Sequence, residues 1–121
     1  MAETSANDDS ARWPEELDAL VAAPEHHTLL YETEDVRVLD TVIRAGERTP
    51  VHTHRWSSVM VLLSWSAFVR YDDRGAVMVD SRKVPALASP PQVLPSDPLP
   101  PHSLENVGTE DLRLISVELK R

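Results

Sequence analysis

Three histidines, His52, His54 and His102, with Asn106 four residues after the last, are the positions whose types and spacing can do chemistry in this chain. Successive side chains of an extended strand point to opposite faces, so His52 and His54 share one face while Thr53 looks away. Two imidazoles on one strand supply two of the three nitrogens of a site suited to Fe, Mn, Ni or Zn. A third donor must come from a strand that the fold brings alongside, and His102 is the candidate. The H-x-H spacing alone is weak, since a chain of this histidine content shows it by chance with a probability of about 0.2.

Other chemistries are poorly supplied. The chain has no cysteine, which removes disulfides, thiolate metal sites and thiol nucleophiles. Ser57 and Ser58 stand near His54 without an elbow glycine or an orienting acid, so they do not read as a nucleophile. Asp72-Asp73 and Glu110-Asp111 sit among turn residues, where solvated roles prevail. No Gly-rich phosphate loop or internal repeat is present. Arg55 and Arg70 each carry a guanidinium fork that fits a carboxylate, although a solvated or salt-bridged arginine is the ordinary case. Arg55 and Trp56, directly after the histidine pair, are the substrate-binding expectation. Trp56 and Trp65 bracket an apolar run, and packing in the core or a dimer is their commoner use. His26-His27, beside Pro24-Glu25, reads as a solvated loop pair outside any site.

Composition bounds the elements that must hold the histidines. A chain of 121 residues with 41% apolar content fits one domain with a modest core. Ten prolines against three glycines and few aromatics favour short strands between rigid loops, hence an all-β architecture. A net charge of −8 repels phosphate backbones and anionic membrane surfaces, so neither nucleic acid nor membrane is an expected partner. The polar start and the lack of a long apolar stretch make the cytoplasm the simplest location.

Residues 1–10 read as a flexible acidic tail, and residues 11–24 as a short helix with Leu17, Leu20 and Val21 on one stripe, capping one open end of the domain. The rest, 25–121, reads as a single β domain. Val36, Val38 and Val42 alternate with Arg37 and Thr41 in one strand phase that ends at a Gly46 turn. Val59 to Leu63 has the continuous apolar character of a strand buried on both faces. Asp72-Asp73-Arg74-Gly75 predicts a hairpin turn. Seven prolines between Pro85 and Pro101 keep that stretch on the surface or at a sheet edge. His102–Asn106 and Leu112–Leu119 read as a terminal hairpin bent at Gly108, closing on Ile115, Val117 and Leu119.

Gly46, five residues, His52-Thr53-His54, an apolar strand, then Pro100-Pro101-His102, three residues, Asn106 and a Gly108 turn together resemble the cupin superfamily over roughly residues 35 to 120. The resemblance implies a jelly-roll barrel, or double-stranded β-helix, of two antiparallel sheets. It implies metal-ligand roles for His52, His54 and His102 and structural-motif roles for Gly46, Asn106 and Gly108. The chain departs from the pattern where the first motif's glutamate would fall near Ser58 or Val59, so the usual fourth ligand is missing. By parity neither Glu105 nor Glu47 replaces it. Two functional classes follow. One is a metal-dependent dioxygenase or isomerase-type enzyme whose three-histidine site binds a divalent ion and a small polar ligand. The other is a non-catalytic, metal-free cupin acting as a small-molecule-binding or accessory protein. Small cupins resemble dimers that cover a sheet edge or an outer face, so a homodimer is expected.

Overall fold

The computed structural model describes residues 13–120, and the expected tail over residues 1–10 lies outside the described residues. The strands are β1 (His27–Glu32), β2 (Val36–Ile43), β3 (His52–His54), β4 (Ser58–Ser64), β5 (Phe68–Asp72), β6 (Val77–Asp80), β7 (Val93–Ser96), β8 (Leu99–Asn106) and β9 (Leu112–Leu119). They form a five-stranded sheet of order β1-β2-β9-β4-β7 and a four-stranded sheet of order β3-β8-β5-β6. The chain crosses between the sheets at most connections, which gives the jelly-roll arrangement that the cupin resemblance implies.

The alternation in β2 and β9 is real, but its phase is the reverse of the one read from the valines. In β2 the buried residues are Arg37, Leu39, Thr41 and Ile43, and in β9 they are Leu112, Ser116 and Glu118. Val36, Val38, Ile115, Val117 and Leu119 therefore stand on the outer face. The inversion has a physical cause: Arg37 and Glu118 lie directly opposite each other in the register and neutralise each other, so a charge of each sign can turn inward. Val59 and Leu63 of β4 are also exposed, so this strand is buried on one face only.

Three further expectations change. Residues 11–24 do not form one helix: a 3-10 turn (Glu15–Leu17) is followed by a single α-turn, α1 (Ala19–Ala22), and residues 11–12 lie outside the described residues. Asp18 breaks the run because it stays extended, caps the Leu20 amide and pairs with Thr53. Ala19 and Ala23 face inward, while Val21 is exposed. The strands on either side of Gly108 belong to different sheets, so the link from β8 to β9 is a crossing rather than a hairpin. The prolines do place β7 at a sheet edge, but Pro100 and Pro101 begin β8, an interior strand. They are tolerated because the β3–β8 register shifts between the His52–His102 and His54–Leu99 pairs, and β5 joins β8 only from His102 onward.

Asn106 organises the β8–β9 crossing. It is buried; its Oδ1 accepts from the Ser66 hydroxyl (2.7 Å) and the Gly108 amide (3.0 Å), while its Nδ2 donates to the carbonyls of Ile43 and Glu110 (both 2.8 Å). Gly108 is required by close approach, since a Cβ there would lie 2.8 Å from the Ala67 nitrogen. Gly46 and Gly75 instead take φ of +85°, which the turn after β2 and the β5–β6 hairpin need. Ile43, Phe68 and Leu112 form the apolar cluster between the sheets, with Trp65 and Leu104 packed on it. Among the described residues, buried polar and charged side chains outnumber buried apolar ones, so much of the interior is arranged for something other than packing.

Candidate functional site

A cavity of about 90 Å³ lies between the two sheets, and four histidines stand in its wall: His27, His52, His54 and His102. The sheet register brings them there. His52 lies directly opposite His102 on β8, and His27 lies opposite Thr41 on the inward phase of β2. Ring centres are 4.4 Å apart for His52 and His102, 5.0 Å for His52 and His54, and 4.8 Å for His27 and His52. The ligand nitrogens of His27, His52 and His54 all lie within 4.8 Å of one another. The His54 and His102 rings are 5.7 Å apart.

Each ring is held through the same atom. The Nδ1–H of His27 donates to the Ala23 carbonyl (3.0 Å), that of His52 to Pro50 (2.8 Å), that of His102 to Pro100 (2.7 Å), and that of His54 to the Glu118 carboxylate (3.2 Å). Carbonyl and carboxylate oxygens only accept, so Nδ1 carries the proton in all four rings and Nε2 carries a lone pair. Among the described residues no protein donor occupies those Nε2 atoms. Burial, reinforced by the neighbouring imidazoles, lowers the His27 and His54 pKa values to about 3 and that of His102 to about 2. Burial also lowers that of His52. All four are neutral at physiological pH, which is the state that binds a metal.

Glu118 extends the site outward. It accepts from Arg37 Nε (2.6 Å), and Arg37 makes a two-pronged contact with Asp18 at 3.0 and 2.9 Å. A continuous chain, Asp18–Arg37–Glu118–His54, thus joins the turn before α1 to the cavity. Burial drives the Glu118 carboxyl above the usual carboxylate range, with Arg37 pulling it back. Burial acts on Asp18 in the same sense but is outweighed by the hydrogen bonds and charge of Arg37, so its pKa is lowered.

His27 and Glu118 escape the sequence reading. His27 is buried, not a solvated loop residue, because β1 starts one residue earlier than the Thr28 to Tyr31 run suggests. Glu118 was hidden by the phase of β9. Ser58, where the cupin glutamate would fall, does line the cavity, and among the described residues no carboxylate joins it in the wall. Glu105 accepts from the Tyr71 hydroxyl, and Glu47 from the Arg44 amide with His26 Nδ1 3.9 Å away, and neither stands in the cavity wall. Arg55 and Trp56 are not in the cavity wall. The Trp56 ring lies under the guanidinium carbons of Arg37 (4.9 Å) and Arg55 (5.4 Å). Trp65 is in the wall, its Nε1–H donating to the Leu87 carbonyl (2.9 Å).

No protein-family model matches the chain, and no curated protein does. Solved structures do. A cupin domain from Bordetella pertussis Tohama I superposes with a TM-score of 0.58 at 15% identity, covering 78% of this chain and 92% of that one. An uncharacterised conserved protein with a double-stranded β-helix domain from Klebsiella pneumoniae gives 0.54 at 16% identity, covering 97% and 91%. An RmlC-like cupin family protein from Methanocaldococcus jannaschii gives 0.53 at 13%, covering 77% of each chain. The chain has the double-stranded β-helix fold of the RmlC-like cupins. Among the described residues no helix is long and apolar enough to cross a membrane.

Proposed function

We propose that the cavity binds one divalent transition-metal ion through histidine Nε2 atoms, with a small organic ligand beside it. The reading rests on one observation: four neutral imidazoles have their Nδ1 atoms tied to acceptors, which leaves four Nε2 lone pairs without a protein donor among the described residues. His52, His54 and His102 are the ligands the cupin pattern implies, and His27 supplies a fourth nitrogen in a wall that lacks the pattern's glutamate. The donor set suits Fe, Mn, Ni or Zn. A bound ion of this kind supplies Lewis acidity toward a coordinated ligand. Dioxygenase or isomerase-type chemistry is the enzyme form of this proposal.

The fourth histidine also favours a second form. A tetrahedral ion held by four side chains has no open position, as in structural zinc sites, and would make this a binding or accessory protein rather than an enzyme. Tag-free protein, stripped with a chelator and reloaded with each ion in turn, is expected to hold one metal per chain by elemental analysis. His52→Ala and His102→Ala are expected to lose it. An occupancy below about 0.1 per chain for every ion ends the metal reading. Thermal unfolding gives an independent measure, because native-state binding stabilises by about 2.7 kcal/mol at a hundredfold excess over Kd.

We propose that the protein acts in the cytoplasm as a homodimer. Support for the dimer comes from the outer face of the five-stranded sheet, where Val38, Val117, Val59 and Pro95 follow one another across four strands, flanked by exposed Leu119 and Val93. Val38 and Val117 are half-buried and Val59 and Pro95 exposed, and apolar rows open to solvent in this way mark association surfaces. Light scattering is expected to give the mass of two 13.5 kDa chains, and the mass of one would refute the dimer.

A further inference from the structure

Two arginines turn into the space between the sheets, and they are treated differently. Arg37 makes three hydrogen bonds to two carboxylates. Arg70, on β5 between β8 and β6, lies in the cavity wall with no carboxylate or carbonyl accepting from it among the described residues. Its Nε is buried and unpartnered, and its guanidinium carbon lies 5.9 Å from the Phe68 ring centre. Leu104 is directly opposite Arg70 in the register, and His102 is two residues along on the same face of β8, so the guanidinium shares the histidines' compartment.

Arg70 as a whole is half-buried, with its Nε fully buried, and a cation drawn this far from water without a counter-ion is costly. The four histidines are neutral, and no acid stands in the wall among the described residues, so the cavity presents one positive charge with nothing to balance it. The remainder of the wall is largely apolar, with Ile43, Phe68, Leu99, Leu112 and Leu114 around the charge. A sugar is too large for a cavity of about 90 Å³, and a phosphate dianion brings more charge than one guanidinium balances. A carboxylate on a short apolar skeleton meets both requirements. At about 90 Å³, against roughly 10–15 Å³ for one water by the same measure, the cavity takes a ligand of only a few heavy atoms.

We propose that the ligand of this cavity is a small monocarboxylic acid whose carboxylate pairs with Arg70 and whose carbon skeleton lies against Phe68 and the leucines. This deepens the ligand half of the proposed function, yet it stands on Arg70 and can hold with or without a metal.

Calorimetric titration of the full chain tests it, in both chelator-stripped and zinc-loaded form, with butanoate, butanamide and inorganic phosphate as probes. Butanoate is expected to bind at least about tenfold more tightly than butanamide, since a charge-assisted bond is roughly twice as strong as a neutral one. Phosphate is expected not to compete. Arg70→Gln should weaken butanoate binding to the level of the amide while leaving metal content and the circular dichroism spectrum as in the parent. Arg70→Lys, which keeps the charge but not the fork, should recover part of the affinity. Equal binding of butanoate and butanamide, binding of neither, displacement by phosphate at equal concentration, or parental affinity in Arg70→Gln would each overturn the proposal. Arg70-dependent binding in protein that loads no ion would sink the metal reading alone. Full metal loading with no carboxylate preference would sink this one alone.

Discussion

Chelator-stripped protein loses stability steeply as the pH falls from 7 toward 4. The four buried histidines set the sign. In the unfolded chain each titrates near the ordinary value of about 6.5. In the native state burial lowers all four, to about 3 for His27 and His54 and about 2 for His102. Below pH 6.5 the unfolded state therefore binds more protons than the native state. The stability contributed by keeping the rings neutral is complete above that pH and is lost as the pH falls toward the folded values. Each ring contributes up to about 1.4 kcal/mol per pH unit in this window. With two to four rings acting, a drop of roughly 3–5 kcal/mol per unit consumes a typical domain's whole stability of about 5–15 kcal/mol within a few units. Urea unfolding at half-unit pH steps reads the slope directly. His102→Phe should reduce it by about one proton, and a stability that is flat between pH 7 and 5 would show that the rings are not buried neutral.

Replacing Arg37 with Met is the second large effect. Arg37 is all but inaccessible and sits between Asp18 and Glu118. Removing it leaves two carboxylates buried without a cation, a change that typically costs about 3–5 kcal/mol. The accompanying variant Arg37→Met/Asp18→Asn/Glu118→Gln has no stranded charge and should recover more than half of that loss, because neutral groups tolerate burial far better than unpaired ions. Equilibrium unfolding in urea separates the two outcomes. A single variant that loses less than about 1 kcal/mol would place the three groups in surface-like solvation.

The sequence was legible where local chemistry is strong. Gly75 and Asp72 announced their hairpin, and the resemblance carried by Gly46, His52, His54, His102 and Asn106 implied the barrel. Strand phase was the part that stayed hidden. A run such as Val36-Arg37-Val38-Leu39 alternates either way, and the ordinary assumption that valine faces inward fails when the interior holds a paired Arg37 and Glu118 and the outer sheet face is apolar. One phase error concealed two things at once, the inward Arg37 and the inward Glu118, while His27 escaped separately because β1 begins at it rather than at Thr28. The β8–β9 connection shows the same limit. A bend flanked by two strands looks alike whether the strands pair with each other or join opposite sheets, and only the long-range partners of Asn106 distinguish the two.

The prolines ahead of His102 have a consequence for recognition. Pro100 and Pro101 fix their own φ angles in the unfolded chain as well as the folded one, and the Pro100 carbonyl is the group that orients the His102 ring. The imidazole is thus presented by a backbone with little freedom left to lose, so an incoming guest meets a rigid jaw and forfeits little of its binding energy to local ordering.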